Sequence, residues 1–175
     1  RSRLQVAQSF GYMWECPDYF VLGNQQFLSL SPQGVEAEEF RYQNIYQSGY
    51  FKVYGDILSP ACELSDFQEW DYGFDFYAPQ TFLDEKDRRI LVGWMGIPDA
   101  GYTNQPTVAA GWQHALTLPR ELSVTAGGTV LQNPVAELEQ LRAQEIPFNG
   151  PFSYSSVHAL DIVITKSHDT DVSIV

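Results

Sequence analysis

Apolar and polar residues alternate in short runs along most of the chain, a pattern typical of half-buried β-strands. The runs occur in pairs, within residues 19–30, 43–54, 77–96 and 114–132. Each pair surrounds a turn signal: Gly23-Asn24, Ser48-Gly49, the charged segment 83–89 and Gly127-Gly128. Because such glycine-containing pairs favour tight turns, we predict a series of antiparallel hairpins.

Hairpins at near-regular spacing predict an all-β fold, either a propeller, a sandwich or a barrel. At roughly 40–50 residues per four-stranded blade, residues 1–132 would supply about two and a half blades. That number is too small to close a ring. We therefore expect residues 1–132 to be the later blades of a propeller whose first blades lie outside this chain.

One segment departs from the strand pattern. Asn133 can cap a helix, Pro134 suits the first helical turn, and apolar residues then recur every three positions. We predict a short helix over 134–144, inside a linker that covers 133–146. Residues 147–175 alternate again, which predicts the start of a second all-β module.

Charge and composition narrow the function. The chain has 22 acidic and 10 basic residues, a net charge of −12. Nucleic-acid binding needs clustered Lys and Arg, so a nucleic-acid partner is not expected. No apolar run reaches the length of about eighteen residues that a membrane helix requires, so no membrane partner is expected either. Cys16 and Cys62 have no metal-type spacing, and the three histidines are scattered, so no metal or cofactor is predicted. Two reduced thiols are favoured over a disulfide.

The segment GYMWECPDYFVL, residues 11–22, places Glu15 beside aromatic, methionine and cysteine side chains and directly before Cys16-Pro17. Apolar neighbours such as Met13 and Trp14 solvate a charge poorly, so they would favour the protonated form of a carboxyl group. Pro17 would fix the chain direction just after it. Two interpretations are open: a general acid, or an ordinary carboxylate at the rim of a blade.

Four motifs carry a resemblance to a known family. They are YMWECPD (12–18), DYGFDFYAPQTF (71–82), ILVGWMGIPD (90–99) and WQHALTLPREL (112–122). Their order and approximate spacing resemble glycoside hydrolase family 32, which contains invertases and fructanases, and within it the bacterial sucrose-6-phosphate hydrolases most. The resemblance implies a five-bladed propeller with an axial, funnel-shaped active site, followed by a β-sandwich that residues 147–175 would begin. It also implies a cytoplasmic protein.

The resemblance implies a retaining β-fructofuranosidase with Glu15 as general acid/base. Retention needs two carboxyl groups about 5–5.5 Å apart, one of which attacks the sugar. The family's Asn-Asp-Pro-Asn motif, which holds the nucleophilic aspartate, and its Arg-Asp-Pro motif are both absent from this sequence. We expect both to lie upstream in a longer protein and this chain to be inactive alone. The expected substrate is a small sugar: sucrose, sucrose 6-phosphate or a short fructan.

Four further residues are candidates for substrate binding: Asp71, Asp75, Tyr77 and Trp94. By resemblance, the Asp75 segment reaches the fructose subsite and Tyr77 hydrogen-bonds the acid/base. The alternatives are that one aspartate caps a turn and that Trp94 packs between blades. His114 is expected to be structural, and Arg120 and Glu121 to form an ion pair at the rim.

A second function also fits this sequence. A non-catalytic carbohydrate-binding or structural propeller module would show the same hairpins and aromatic residues without turnover. The two motifs expected upstream would distinguish it from a glycosidase.

Overall fold

The computed structural model describes residues 4, 10–155 and 160–165. The chain divides into two compact units, Arg1–Val135 and Ala136–Val175. The strands described below all belong to the first unit, which forms two antiparallel sheets. The all-β prediction is therefore confirmed.

The first sheet contains the strands β1 (Met13–Leu22), β2 (Gln25–Gln33), β3 (Gly49–Tyr54), β4 (Glu63–Leu64) and β5 (Gln68–Glu69). Their spatial order is β1-β2-β3-β4, and β5 also pairs with β3. The long hairpin β1–β2 turns at Gly23-Asn24, as the sequence predicts.

The second sheet contains β6 (Tyr77–Leu83), β7 (Arg89–Met95), β8 (Ala115–Leu116), β9 (Arg120–Val124) and β10 (Val130–Pro134). Its order is β10-β9-β7-β6, with β8 also paired to β7. A short helix, α1 (Gln105–Ala109), lies in the connection between β7 and β8. The hairpins β6–β7 and β9–β10 confirm two more of the predicted pairs.

The predicted hairpin around Ser48-Gly49 is wrong. Gly49 begins β3, which pairs with β2, and the residues before it form only an isolated bridge between Tyr46 and Gln33. A Cβ atom at Gly49 would stand 2.1 Å from the carbonyl oxygen of Gln68. The glycine is thus required by close strand packing and not by a turn, two roles that a local pattern does not distinguish.

The second unit begins with a short helix. Its helix is a 3₁₀ helix over Ala136–Leu141, shorter than the segment 134–144, because Pro134 still pairs with Arg120 at the end of β10. Residues 160–165 have no regular structure, and the other residues of the alternating segments 156–167 and 171–175 lie outside the described residues, so the second all-β module stays a prediction. In the described ranges, no helix has the length and hydrophobicity that crossing a bilayer requires.

Aromatic residues from both sheets form the main core. This cluster consists of Phe20, Phe27, Tyr50, Trp70, Phe76, Leu91 and Leu122. A second cluster contains Leu28, Leu30, Tyr42, Phe51, Val53 and Phe67. Strand β2 contributes Phe27 to one cluster and its neighbour Leu28 to the other, because successive side chains of a strand project from opposite faces. The first sheet is therefore packed on both faces.

Candidate active site

A bulge in β1 shapes the backbone at Glu15. Glu15 pairs with Ser31 and Asp18 pairs with Ser29, so Cys16 and Pro17 together oppose one residue of β2. Cys16 has φ = 49°, in the left-handed region, where a non-glycine residue costs about 1–3 kcal/mol. Bulges bend a strand and redirect the side chains next to them. The strained Cys-Pro pair therefore sets the direction of Glu15.

The same device occurs in β6. Tyr77 pairs with Trp94 and Gln80 pairs with Val92, so Ala78 and Pro79 oppose the single residue between them on β7. Ala78 has φ = 48°. In each strand a left-handed residue followed by proline comes directly after a site residue, Glu15 in β1 and Tyr77 in β6.

The two bulged strands bring Glu15 and Tyr77 together. The Tyr77 hydroxyl donates a hydrogen bond of 2.8 Å to Oε2 of Glu15. The side-chain amide of Gln33 donates to the same oxygen at 3.1 Å and makes a longer contact of 3.4 Å with the Tyr77 hydroxyl. Burial raises the pKa of the Tyr77 phenol, and the Glu15 carboxylate raises it further, so the phenol remains a donor. We call these three side chains the Glu15 triad.

Side chains near the bulges also connect the two sheets. Asp18 accepts hydrogen bonds of 2.7 Å from both the backbone N–H and the hydroxyl of Thr81. Gln80 donates a hydrogen bond of 3.1 Å to the carbonyl oxygen of Cys16. These contacts keep β1 and β6 side by side, so the Glu15–Tyr77 distance depends on the packing of the two sheets.

The surroundings of Glu15 differ from the expectation. Met13 is half exposed, and the Trp14 ring packs against Phe51 in the second core cluster, with ring centroids 5.7 Å apart. Sequence neighbours in a strand point to opposite faces, so the contacts of the Glu15 carboxyl come from other strands. Burial raises the pKa of the neighbouring Cys16 thiol and the Glu15 charge adds to the effect, which favours the unreactive thiol form. Cys16 and Cys62 are not linked, as predicted.

A cleft of about 300 Å³ contains two of the predicted substrate-binding residues, Asp75 and Trp94. The Tyr102 hydroxyl donates a hydrogen bond to Asp75. The Trp94 ring meets His114 edge to face at 5.0 Å and covers Gly96, where a Cβ atom would stand 2.3 Å from the ring. Because Gly96 has no side chain, the Trp94 ring can approach its backbone this closely.

Tyr46 links this cleft to the Glu15 triad. Its ring centroid lies 6.0 Å from that of Tyr77, and its hydroxyl donates a 2.7 Å hydrogen bond to Asp99, which lines the cleft. Trp94, on the cleft wall, is the strand partner of Tyr77. The cleft and the triad are therefore adjacent.

Asp71 occupies a different environment from the other candidates. One carboxylate oxygen pairs with Arg120 at 2.7 Å, and the other accepts the backbone N–H of Gly73 at 2.9 Å, as a turn cap does. The expected Arg120–Glu121 ion pair is wrong: Glu121 contacts Arg88 at 3.4 Å, and Arg120 is held by Asp71. Adjacent residues of a strand face opposite sides, so Arg120 and Glu121 meet different partners.

Sequence reasoning missed several polar residues of the site, namely Gln33, Tyr46, Asp99 and Tyr102. Counting back from the turn at Gly23-Asn24 places Gln33 opposite Met13 only once the bulge is included, and no sequence pattern signals that bulge. Within the described residues, no three His, Cys, Asp or Glu side chains lie close enough together to hold a metal ion.

The sequence model of the Glycosyl hydrolases family 32 N-terminal domain matches residues 1–134. The chain therefore belongs to glycosyl hydrolase family 32, and the resemblance seen in its motifs is confirmed.

Curated relatives narrow the comparison within the family. The chain is 54% identical over 136 residues to the sucrose-6-phosphate hydrolase of Staphylococcus xylosus, which covers 78% of this chain and 27% of that protein. It is 50% identical over 136 residues to the sucrose-6-phosphate hydrolase of Bacillus subtilis, covering 78% and 28% respectively. The chain thus spans less than a third of the length of these relatives.

Solved structures show the same fold. A Bombyx mori GH32 beta-fructofuranosidase superposes with a TM-score of 0.69 at 36% identity, covering 79% of this chain and 29% of that one. The sucrose-6-phosphate hydrolase from Lactobacillus gasseri gives 0.65 at 31% identity, covering 77% and 27%. The two sheets are accordingly part of the propeller fold of this family, as predicted.

Proposed function

We propose that this chain is the acid/base-bearing part of a retaining β-fructofuranosidase that cleaves sucrose or sucrose 6-phosphate. The Glu15 triad, beside a cleft with an aromatic wall and two carboxylates, is the observation that supports this proposal. The nucleophilic aspartate would come from outside these 175 residues. The relatives' names support a sugar substrate, and a variant of the Bombyx mori enzyme was solved in complex with sucrose. The cytoplasmic location remains a prediction.

Glu15 would act twice in the proposed reaction. While the nucleophilic carboxylate attacks the anomeric carbon of the fructosyl group, Glu15 gives its proton to the departing glycosidic oxygen. Glu15 then takes a proton from the water that hydrolyses the fructosyl-enzyme ester, which releases fructose with retained configuration. The negative charge of the second carboxylate favours the protonated form of the acid before the first step.

The cleft supplies the groups that bind a sugar. Trp94 offers an aromatic face to the C–H side of a ring, and Asp75 and Asp99 offer carboxylate oxygens to hydroxyl groups. Tyr102 and Tyr46 each donate to one of these carboxylates and so restrict its orientation. We assign Asp75 and Trp94 to substrate binding. Asp71, paired with Arg120, would support the loop that carries Asp75 rather than contact the sugar directly.

Glu15→Gln in the full-length protein tests the proposal. The substitution removes the transferable proton at nearly unchanged volume, so kcat on sucrose should fall by about 10²–10⁴-fold while the far-ultraviolet circular dichroism is unchanged. With β-fructofuranosyl fluoride, whose leaving group needs no proton, fructosyl-enzyme should still form. Added azide should then restore turnover and yield β-fructosyl azide, because azide attacks without a general base.

Glu85→Gln is the matched control, since Glu85 is an exposed glutamate at the tip of the β6–β7 hairpin. It should leave kcat within twofold of the parent protein. Sucrose hydrolysis by the Glu15 variant within a few-fold of the parent would contradict the assignment. Sucrose binding without turnover by the parent protein itself would favour the non-catalytic module.

A further inference from the structure

We infer that Gln33 is a positioning residue that determines which oxygen of Glu15 carries the catalytic proton. The inference rests on the proposed role of Glu15 as acid/base. Gln33 lies at the end of β2 and was not among the candidates that the sequence motifs supplied.

Both donors of the triad reach one oxygen. Tyr77 and Gln33 donate to Oε2 of Glu15, at 2.8 and 3.1 Å. Across residues 10–155, no hydrogen bond to Oε1 is formed. A protonated carboxyl group has one hydroxyl oxygen and one carbonyl oxygen, and an oxygen that accepts two hydrogen bonds has little capacity to carry the proton as well. When Glu15 is protonated, Oε1 is therefore the oxygen that carries the proton.

Gln33 also directs the hydrogen of Tyr77. Its amide carries two N–H groups, one for Glu15 and one for the Tyr77 hydroxyl at 3.4 Å. A phenol that accepts from the amide keeps its single hydrogen for Glu15. The amide is neutral at every pH of interest, so it donates to Oε2 whether Glu15 is acting as acid or as base.

The backbone of Gln33 is held closely on both sides. Its carbonyl oxygen accepts the N–H of Tyr12 at 2.9 Å, and a Cβ atom at Gly11 would stand only 2.2 Å from that oxygen. Gln33 also pairs with Met13 of β1, and it forms an isolated β-bridge with Tyr46. Such a restrained backbone allows one amide to set the orientation of a carboxyl group.

Gln33→Met in the full-length protein removes both N–H donors and keeps the length of the side chain. We expect kcat/KM for sucrose to fall about 10–100-fold, because the proton no longer lies in a defined direction. For β-fructofuranosyl fluoride, kcat/KM should change less than about threefold, since kcat/KM reports the first step and fluoride leaves unprotonated. A purely structural role would lower both values equally.

Gln26→Met is the matched control, because Gln26 lies on the same strand at its far end and its amide donates to Gly55. It should alter neither kcat/KM. If Gln33→Met does not fold, Gln33→Asn serves instead: it keeps the amide but shortens the side chain by one methylene, and the same difference between substrates is expected.

Equal losses on both substrates, or no loss on sucrose, would overturn the role of Gln33. The Glu15→Gln variant separates this outcome from failure of the proposed function. If Glu15→Gln shows the leaving-group dependence and the Gln33 variants do not, Glu15 remains the acid/base and only the Gln33 inference is wrong. If Glu15→Gln hydrolyses sucrose normally, the proposed function itself is wrong.

Discussion

The hydrogen bond from the Tyr77 hydroxyl to Glu15 is the shortest in the Glu15 triad, and Tyr77 is the most buried of its three residues. Tyr77 is 3% exposed, and its hydroxyl spans the gap between β6 and β1. When a buried donor or acceptor loses its partner, the protein loses more free energy of unfolding than the net contribution of that hydrogen bond. Single atoms at this site therefore affect both the orientation of Glu15 and the cohesion of the two strands.

Tyr77→Phe should lower kcat on sucrose by about 10–100-fold, because Oε2 of Glu15 keeps only the Gln33 donor. The far-ultraviolet circular dichroism should stay unchanged, since the ring remains in place. Tyr54→Phe, at a half-exposed tyrosine in β3, is the control and should leave kcat unaltered. Parent-like kcat in the Tyr77 variant would show that the hydroxyl contributes nothing to the acid/base.

A second residue-scale prediction concerns Glu69, which lies outside the site. Its side chain is 5% exposed, and Oε1 accepts the N–H of Tyr42 at 3.0 Å. Oε2 has no hydrogen bond and lies 3.9 Å from Nε of Arg41. Burial raises the pKa of Glu69. A raised carboxyl pKa contributes stability that is present below the ordinary value of about 4.3 and is lost as pH rises through the folded-state value.

Glu69→Gln should therefore gain stability relative to the parent protein between pH 4 and pH 7, measured as the difference of urea midpoints. The amide carries no charge, so its burial does not depend on pH. Glu63→Gln, an exposed position in β4, should follow the parent at both pH values. A constant difference between the Glu69 variant and the parent across this range would refute the prediction.

At the scale of elements, the two proline bulges explain why a sheet edge becomes a site. In a regular strand, the strict alternation of side chains would fix the face on which Glu15 and Tyr77 lie. Each bulge adds one residue and changes the strand direction. The bulge in β6 lies opposite Gly93. No space is left for a side chain at Gly93, because a Cβ atom there would stand 2.4 Å from the Phe76 ring. Thr117 bonds both the N–H and the C=O of Gly93.

Gly93→Ala should consequently destabilise the protein by about 1–3 kcal/mol, the usual cost of overpacking a core. Phe76 is 4% exposed and the backbone of Gly93 is held on both sides, so neither can move away easily. Gly101→Ala is the matched control, because no atom lies within 4 Å of its Cβ position. Urea unfolding measures both, and equal midpoints for the two variants would contradict the packing argument.

At the scale of the first unit, the site depends on how two sheets pack. The main core cluster takes residues from both sheets, and Asp18 and Thr81 connect them beside the triad. Buried tyrosines occur in both core clusters, Tyr50 in one and Tyr42 in the other. Burial raises the pKa of both phenols. Their ionisation is thus coupled to the unfolding of this whole unit.

Stability should accordingly be lost at alkaline pH. A phenol with a raised folded-state pKa contributes stability that is complete below the ordinary value of about 10 and disappears as pH rises through the folded-state value. The urea midpoint should fall between pH 8 and pH 11, and it should fall less in Tyr50→Phe than in the parent protein. Identical pH dependence in the two proteins would show that Tyr50 is not responsible.

Much of the fold was readable from local patterns. Alternation and turn residues located the hairpins at Gly23-Asn24 and Gly127-Gly128, because a hairpin joins segments that are adjacent in sequence. The pattern failed at Gly49, where the glycine serves packing against a distant strand. It also extended the helix after β10 too far at its start, since the strand pairing of Pro134 outweighs its suitability for a helical turn.

What the sequence alone determined was the all-β character of the chain, its family, and the candidacy of Glu15 and Tyr77, all of which follow from residues close together in the chain. Only the tertiary structure decided that Gln33 joins them, that Arg120 pairs with Asp71, and that Trp14 faces away from Glu15. Those contacts depend on a one-residue shift of register at each bulge and on the packing of one sheet against the other. Neither the shift nor the packing leaves a periodic trace in the sequence, because both arise from residues far apart along it.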